Sequence, residues 1–172
     1  MTVTLFNIFE VPPEADREFI SWWKRTGAFI EQRIGPVSAA LHRSVDCDAR
    51  FRFINVASIE SPQEWQRAVT APGFPGDEQP GLRHPGLYEL VRDNEPTASG
   101  ELVLIAPFEV AAANDEAFIQ DWDDFPGGRL YRSLSPTTDF RFVELSAHRS
   151  DTAPAARTSF PSYPALYEVV AR

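Results

Sequence analysis

The chain repeats itself, and this repeat constrains its fold more than any other feature of the sequence. Three segments of the first half align without gaps, and in the same order, with three segments of the second half. Of the 34 aligned positions, 17 are identical, far more than unrelated segments share. We therefore predict a tandem duplication, with one unit at 1–92, a polar linker at 93–100 and a shortened unit at 101–172. The aligned pairs are 9–23 with 108–122, 41–53 with 130–142, and 86–91 with 165–170.

Hydrophobic period and turn residues predict the order β-α-β-β-α-β for the first unit. Ser61, with Glu64 three residues later, forms a capping box that begins the second helix. The Gly- and Pro-rich stretch 71–86 is predicted as a loop, and 149–158 stands where the second unit lacks its second helix. This order is that of the ferredoxin-like split βαβ unit. Strands are predicted at 2–11, 37–45, 50–59 and 87–92, and helices at 14–33 and 61–69.

Composition excludes several classes of protein. The single cysteine, Cys47, excludes a disulfide within the chain and a cysteine-based zinc site. The net charge of −9 argues against nucleic acid as a partner, because phosphate binding needs a basic surface. The sequence has no run of 18 apolar residues and does not start like a secretory signal, so we expect a cytoplasmic protein that does not enter a membrane. It also lacks the glycine-rich nucleotide-binding, HExxH and GxSxG motifs.

Three stretches, VTLFNIFEVPPEADREFISWW, GPVSAALHRS and ARFRFINVAS, resemble the antibiotic biosynthesis monooxygenase family. That family is built from dimeric α+β barrels of ferredoxin-like units. The resemblance implies an α+β fold in which two ferredoxin-like units in tandem form an intramolecular dimeric α+β barrel, with their sheets packed face to face. Further assembly into a homodimer is left open. Family members include cofactor-free monooxygenases that oxidise aromatic polyketides to quinones and enzymes that degrade haem, and similar barrels serve as polyketide cyclases.

The resemblance also implies roles for individual residues. Quinone-forming members use a strand asparagine, a tryptophan four residues later, and an arginine in or near the loop before the last strand. Asn55 matches the asparagine, Ile59 stands at the tryptophan position, and Arg83 falls near the arginine. We expect Asn55 to donate to a substrate carbonyl or to the oxyanion formed from it, and Arg83 to hold a phenolate.

Other candidates follow from position in the predicted elements. His42 in a strand and His84 in the loop are hypotheses for the proton acceptor, although a lone histidine is more often structural. Trp23 aligns with Trp122 and is predicted to lie in the core, and Asn7 is predicted to make a polar contact inside the barrel. The residues predicted to contact substrate are Trp22, Trp65, Phe51, Phe53, Ile59 and Tyr88.

The leading expectation is a tailoring enzyme for an aromatic, polyketide-like small molecule, which it oxidises with molecular oxygen as co-substrate and without flavin, haem or metal. A polyketide cyclase and a non-catalytic ligand-binding or assembly module are the alternatives. We expect the competent pocket in the first unit, between its sheet and the two helices, with 71–86 as its cap. In the second unit Glu144 takes the place of Asn55.

Overall fold

The computed structural model describes residues 2–94, 102–123, 127–148 and 158–172. Most of the predicted linker, and nearly all of the stretch proposed to replace the second helix of the second unit, lie outside the described residues. The described elements are β1 (Val3–Glu10), α1 (Asp16–Ile34), β2 (Ala39–Ser44), β3 (Phe53–Ile59), α2 (Pro62–Val69), β4 (Leu82–Asp93), β5 (Leu102–Phe108), α3 (Asp115–Asp123), β6 (Arg129–Ser133), β7 (Phe142–His148) and β8 (Ala165–Ala171).

The eight strands form one closed antiparallel barrel in the order β1-β3-β2-β8-β5-β7-β6-β4. The expectation of two separate sheets packed face to face is therefore wrong, because all eight described strands belong to one barrel. The physical reason is the length of β4, which pairs with β1 through its first half and with β6 of the other half of the chain through its second. The strand β8 likewise pairs with both β5 and β2. Closure leaves no unpaired edge among the described strands for pairing with another chain.

Two reciprocal hydrogen bonds tie the halves together inside the barrel. The hydroxyl of Tyr88 donates to the carbonyl of Phe140 at 2.8 Å, and that of Tyr167 donates to the carbonyl of Phe51 at 3.0 Å. Burial raises the pKa of both phenols, which keeps each hydroxyl protonated as the donor. Around them, rings and aliphatic side chains fill the barrel, so its interior is a packed core.

The helices pack on the outside of the barrel because each presents one apolar stripe. In α1 the buried side chains are Phe19, Trp22, Thr26 and Ile30, at helical spacing. Pro12 and Pro13 precede this helix, and Gly35, with a φ of +84°, ends it. Phe19 stacks on Phe53 of β3 with ring centroids 4.5 Å apart, and in α3 Phe118 stacks on Phe142 of β7 at 4.4 Å.

Most predicted element boundaries lie within three residues of the observed ones, but the loop at 71–86 was extended too far. The strand β4 already begins at Leu82, opposite Glu10 of β1. The turn into it is made at Gly81, whose φ is +94° and where a Cβ would lie 2.0 Å from the carbonyl oxygen of Glu10. Pairing with β1 thus overrides the local turn signals of Pro85 and Gly86. None of the described helices is long and apolar enough to cross a membrane.

Candidate functional site

A cavity of about 420 Å³ lies on the outside of the barrel, between the β3-β1-β4 face and the two helices α1 and α2. Small-molecule pockets in proteins occupy roughly 300–1,000 Å³ and are mostly apolar with a few polar groups. This cavity has that character, since rings and aliphatic side chains supply most of its lining. They include Leu5, Phe9, Trp22, Trp23, Ile30, Val37, Ala39, Ala57, Trp65, Val69 and Phe74.

Strand register places the polar side chains of the cavity floor. Asn7 of β1 lies opposite Asn55 of β3 on one side and opposite Pro85 of β4 on the other. Directly opposed residues on antiparallel strands have their Cβ atoms about 4.5–5.5 Å apart on the same face. The two amides are therefore neighbours at the centre of the floor. Arg83 lies two residues before Pro85 in β4, on the same face and nearer to the mouth of the cavity, where it is opposite Phe9.

Asn55 is held by a hydrogen bond that crosses the cavity from roof to floor. The indole Nε1 of Trp23, on α1, donates to Oδ1 of Asn55 at 3.0 Å, and Asn55 is 7% exposed. An indole nitrogen can only donate, so the contact fixes which end of the amide is oxygen. The NH₂ group at the other end of the Asn55 amide therefore does not bond to Trp23. It has no hydrogen-bond acceptor among the described residues. It is a donor available to a ligand.

The mouth of the cavity is covered by residues 70–81, which we call the strap. Trp22 Nε1 donates to the carbonyl of Pro75 at 2.7 Å, and Arg83 Nη1 donates to the carbonyl of Gly76 at 2.9 Å. Arg83 also pairs with Asp77 at 2.9 Å, although the Asp77 side chain is 97% exposed. These contacts hold the strap to both α1 and β4.

Phe74 of the strap lines the cavity, and its ring packs 5.8 Å from that of Phe29 on α1. Gly76 allows this arrangement, since a Cβ there would lie 2.0 Å from the Phe74 ring. The strap is therefore shaped by contacts that place an aromatic ring over the cavity.

The structure brings some of the predicted site residues together and separates others. Four of them, Asn55, Arg83, Trp22 and Trp65, line the cavity. Ile59 packs with Val3, Leu5 and Ala57 beside Trp65, but it does not line the cavity. The predictions that Phe51, Phe53 and Tyr88 contact substrate are not matched by their positions. Phe51 and Tyr88 point into the barrel, and Phe53 is covered by Phe19 of α1.

Arg83 was expected to hold a phenolate and His84 to accept a proton from the same ligand. The structure does not allow the two residues to act together on one ligand. They are consecutive in β4, and consecutive strand residues point to opposite faces of a sheet. His84 lies at the barrel end, with Nδ1 2.6 Å from Asp139 and Nε2 3.0 Å from Glu10. That position is on the other side of the sheet from the cavity.

His42 likewise points away from the cavity. It is a buried residue of β2, 6% exposed, with Nδ1 3.3 Å from the carbonyl oxygen of Ile54. Burial lowers the pKa of His42, which keeps the ring neutral. Among the described residues no histidine lines the cavity.

Sequence reasoning missed several polar residues of the cavity, among them Trp23, Asn7 and Thr26. Trp23 was expected in the core, and Asn7 inside the barrel, whereas both line the cavity. Thr26 was not singled out, although it follows Trp22 by four residues on the same stripe of α1. The strand register of β1 with β3 would have placed Asn7 beside Asn55, but register is not visible in a single strand's alternation.

One other group of potential ligands is present among the described residues. Asp46, Cys47 and Asp48 bring one ligand atom each to within 4.8 Å, and all three are exposed in the turn between β2 and β3. The backbone N–H of Asp48 bonds to the Asp46 carboxylate at 2.9 Å, so this cluster is an ordinary turn.

No protein-family model matches the sequence, and no curated protein matches it. The fold is shared with several solved structures. An "anthrone oxidase-like protein" has a TM-score of 0.71 at 14% sequence identity, over 99% of this chain and 92% of that one. A "Putative monooxygenase" from Fusobacterium nucleatum subsp. nucleatum ATCC 25586 has a TM-score of 0.56 at 12% identity, over 98% and 92% of the two chains. One from Lactobacillus acidophilus NCFM has a TM-score of 0.51 at 11% identity, over 86% and 77%. At these identities the likeness establishes the fold.

Proposed function

We propose that the protein oxidises an aromatic, polyketide-like ketone with molecular oxygen and without a bound cofactor, in the cavity between the barrel and α1. The observation that carries this proposal is the roof-to-floor hydrogen bond from Trp23 to Asn55. It leaves one oriented amide donor in a cavity lined mainly by rings and aliphatic side chains. Fixed donors in a water-poor site stabilise an oxyanion far better than mobile water does.

The reaction we propose is of the quinone-forming type. The ketone has an acidic CH₂ group between two rings, and loss of one proton gives an enolate whose oxygen accepts from the Asn55 amide. The enolate passes an electron to O₂, and the two radicals combine at that carbon. One oxygen atom becomes the new carbonyl, and the other leaves as water with the two hydrogens of the CH₂ group.

The positions of the histidines bear on where the proton goes. His42 and His84 point into the barrel, so we assign proton acceptance to water at the cavity mouth. The contribution of the protein is then to make the CH₂ group more acidic, by stabilising the enolate through Asn55. Arg83 is engaged with the strap at Gly76 and Asp77, and in this proposal it keeps the cavity covered.

The same proposal gives an account of the chain's internal repeat. We interpret the molecule as two ferredoxin-like units fused in tandem, so that one chain makes the barrel that a dimer makes elsewhere. In support, Arg43 pairs with Glu168 at 2.7 Å, and the residues aligned with them, Arg132 and Glu89, pair at 2.6 Å.

Anthrone is a suitable probe, because its oxidation consumes oxygen and gives a product with a distinct absorption spectrum. We expect the purified protein, dialysed against a metal chelator and free of any visible absorption band, to accelerate oxygen uptake above the buffer rate. Binding of the ketone without acceleration would instead favour a non-catalytic ligand-binding module. A rate that depends on a co-purified flavin, haem or metal would refute the cofactor-free reaction.

A further inference from the structure

Two buried polar atoms of the cavity are not used by the proposed reaction. They are Oδ1 of Asn7 on the floor and Oγ1 of Thr26 on the roof, and neither has a hydrogen-bond partner within the described structure. Both residues line the cavity, and Thr26 is 7% exposed. Buried polar atoms in proteins are nearly always paired, so two unpaired ones in the same cavity require an explanation.

The environment of Thr26 makes its hydroxyl unusual. A threonine within a helix ordinarily donates to the carbonyl four residues earlier, which here belongs to Trp22. Thr26 lies in the middle of α1, yet its hydroxyl makes no such bond. Its hydroxyl is therefore available to a molecule in the cavity.

Asn7 is placed to act on the same molecule as Asn55. Its two strand neighbours on the cavity face are Asn55 and Pro85, and proline has no side-chain donor to offer it. The oxygen of Asn55 is already bonded to Trp23, so Asn55 presents a donor and Asn7 an acceptor, side by side. A ligand that satisfies both must carry an acceptor and a donor on one edge.

We infer that the substrate is a hydroxylated aromatic ketone, and that Asn7, assisted by Thr26, is the residue that recognises a free phenolic hydroxyl. The inference rests on the proposed function, because it assigns the second half of the same ligand. The carbonyl oxygen accepts from Asn55, and the hydroxyl donates to Asn7. A hydroxyl already bonded internally to the carbonyl cannot do so, hence the requirement that it be free.

The test uses ketones that do not react with oxygen, so that it is independent of turnover. The probes are xanthone, 1-hydroxyxanthone, 2-hydroxyxanthone and 3-hydroxyxanthone, which share one three-ring skeleton. Only in 1-hydroxyxanthone is the hydroxyl bonded internally to the carbonyl. Binding to the full-length protein is followed by quenching of tryptophan fluorescence. We expect the 2-hydroxy isomer, whose hydroxyl lies on the same edge as the carbonyl, to bind about 10-fold more tightly than xanthone, because an unpaired buried acceptor is expensive to cover. The 1-hydroxy isomer should bind like xanthone.

Two variants assign the effect to residues. Asn7→Leu should remove the advantage of the free hydroxyl by raising the affinity for xanthone, since no acceptor is then left unpaired beneath it, and Thr26→Val should reduce the advantage only in part. Circular dichroism establishes whether each variant is folded. If Asn7→Leu does not fold, Thr26→Val provides the test.

Binding of all four ketones with equal affinity, or a hydroxyl preference that survives both substitutions, would overturn this inference and leave the proposed oxidation standing. A hydroxyl preference lost in Asn7→Leu, combined with no acceleration of anthrone oxidation, would support the inference and defeat the oxidation. If none of the four ketones binds, both are overturned.

Discussion

The faces of the barrel beneath α1 and beneath α3 are built on the same aromatic scaffold but carry different polar groups. Beneath α1, Trp23 donates to Asn55, and Asn7 lies opposite Asn55. Beneath α3, the aligned Trp122 is fully buried and its Nε1 has no partner within the described structure. There the buried Glu144 replaces Asn55, and Ala106 lies opposite it.

The comparison separates the aromatic scaffold that the two faces share from the polar groups in which they differ. The phenylalanine stacks under the two helices have nearly the same centroid distance, 4.5 and 4.4 Å, with interplanar angles of 19° and 27°. In contrast, α1 has 19 residues and the described helix α3 has 9. The halves therefore share an aromatic scaffold, which includes Phe9 and Trp23 of the cavity lining, and differ in polar groups such as Asn55, which Glu144 replaces.

The largest effect should come from the pair Asn55 and Glu144. We expect Asn55→Ala to lower turnover of anthrone by about 10²-fold or more, the scale of losing one oxyanion donor. Glu144→Gln, a change at the aligned position, should leave turnover within about twofold. Oxygen uptake measures both. Activity that survives Asn55→Ala and disappears in Glu144→Gln would place the site in the wrong half of the molecule.

The two aligned tryptophans should differ next most. Trp23→Phe keeps an aromatic side chain but removes the indole N–H that donates to Asn55. The amide of Asn55 is then free to turn its NH₂ group away from the substrate. We expect kcat to fall about 10-fold, with KM within about twofold, because the bond orients a donor that acts mainly on the enolate.

Trp122→Phe is the matched control, since the Nε1 of Trp122 makes no hydrogen bond with any described residue. Stability of this variant can decrease, but kcat should not. Equal losses of kcat in the two variants would show that Trp23 acts only through packing and that Asn55 does not depend on it for orientation.

A smaller effect should come from the strap, which has no described counterpart beneath α3. Arg83→Ala removes two hydrogen bonds to the strap, and we expect KM for anthrone to rise about fivefold with kcat nearly unchanged. Asp77→Ala removes only the exposed half of this contact and should change KM by less than twofold. A large fall in kcat in Arg83→Ala would instead indicate that the guanidinium contacts the reacting oxygen.

The sequence predicted the fold more completely than the site, and particular residues show why. The helical spacing of Phe19, Trp22 and Ile30 and the capping of α2 by Ser61 are local signals, and the structure has both elements. The capping hydrogen bond from the Glu64 N–H to Ser61 Oγ measures 3.2 Å. Such signals need only a few neighbouring residues, which is why they survive in a single sequence.

The site depends on contacts between residues far apart in the chain. Trp23 and Asn55 are 32 residues apart, and Trp22 meets Pro75 across 53. Alternation assigns a residue to one of two faces, but it does not tell which face is the barrel interior. For this reason Asn7 and Tyr88 were each placed on the wrong face, whereas Asn55 was identified through resemblance to a family.

The smallest effect concerns His42 and the aligned Tyr131, which make the halves differ in their response to pH. Burial lowers the pKa of His42 in the folded protein, while the unfolded chain has the ordinary value of about 6.5. Below that value the unfolded state binds a proton that the folded state does not, so stability is complete above about pH 6.5 and decreases as the pH falls. The aligned Tyr131 has no imidazole group to be protonated in this range.

We therefore expect the free energy of unfolding, measured with urea, to fall by at most about 1 kcal/mol between pH 6.5 and 5.5 through His42 alone. His42→Leu should remove this part of the pH dependence, whatever it does to stability at neutral pH. His84 and His148 are present in both proteins, so the difference between the two slopes isolates His42. Identical slopes for the two proteins would show that His42 is protonated in the folded barrel, and that the carbonyl of Ile54 compensates for its burial.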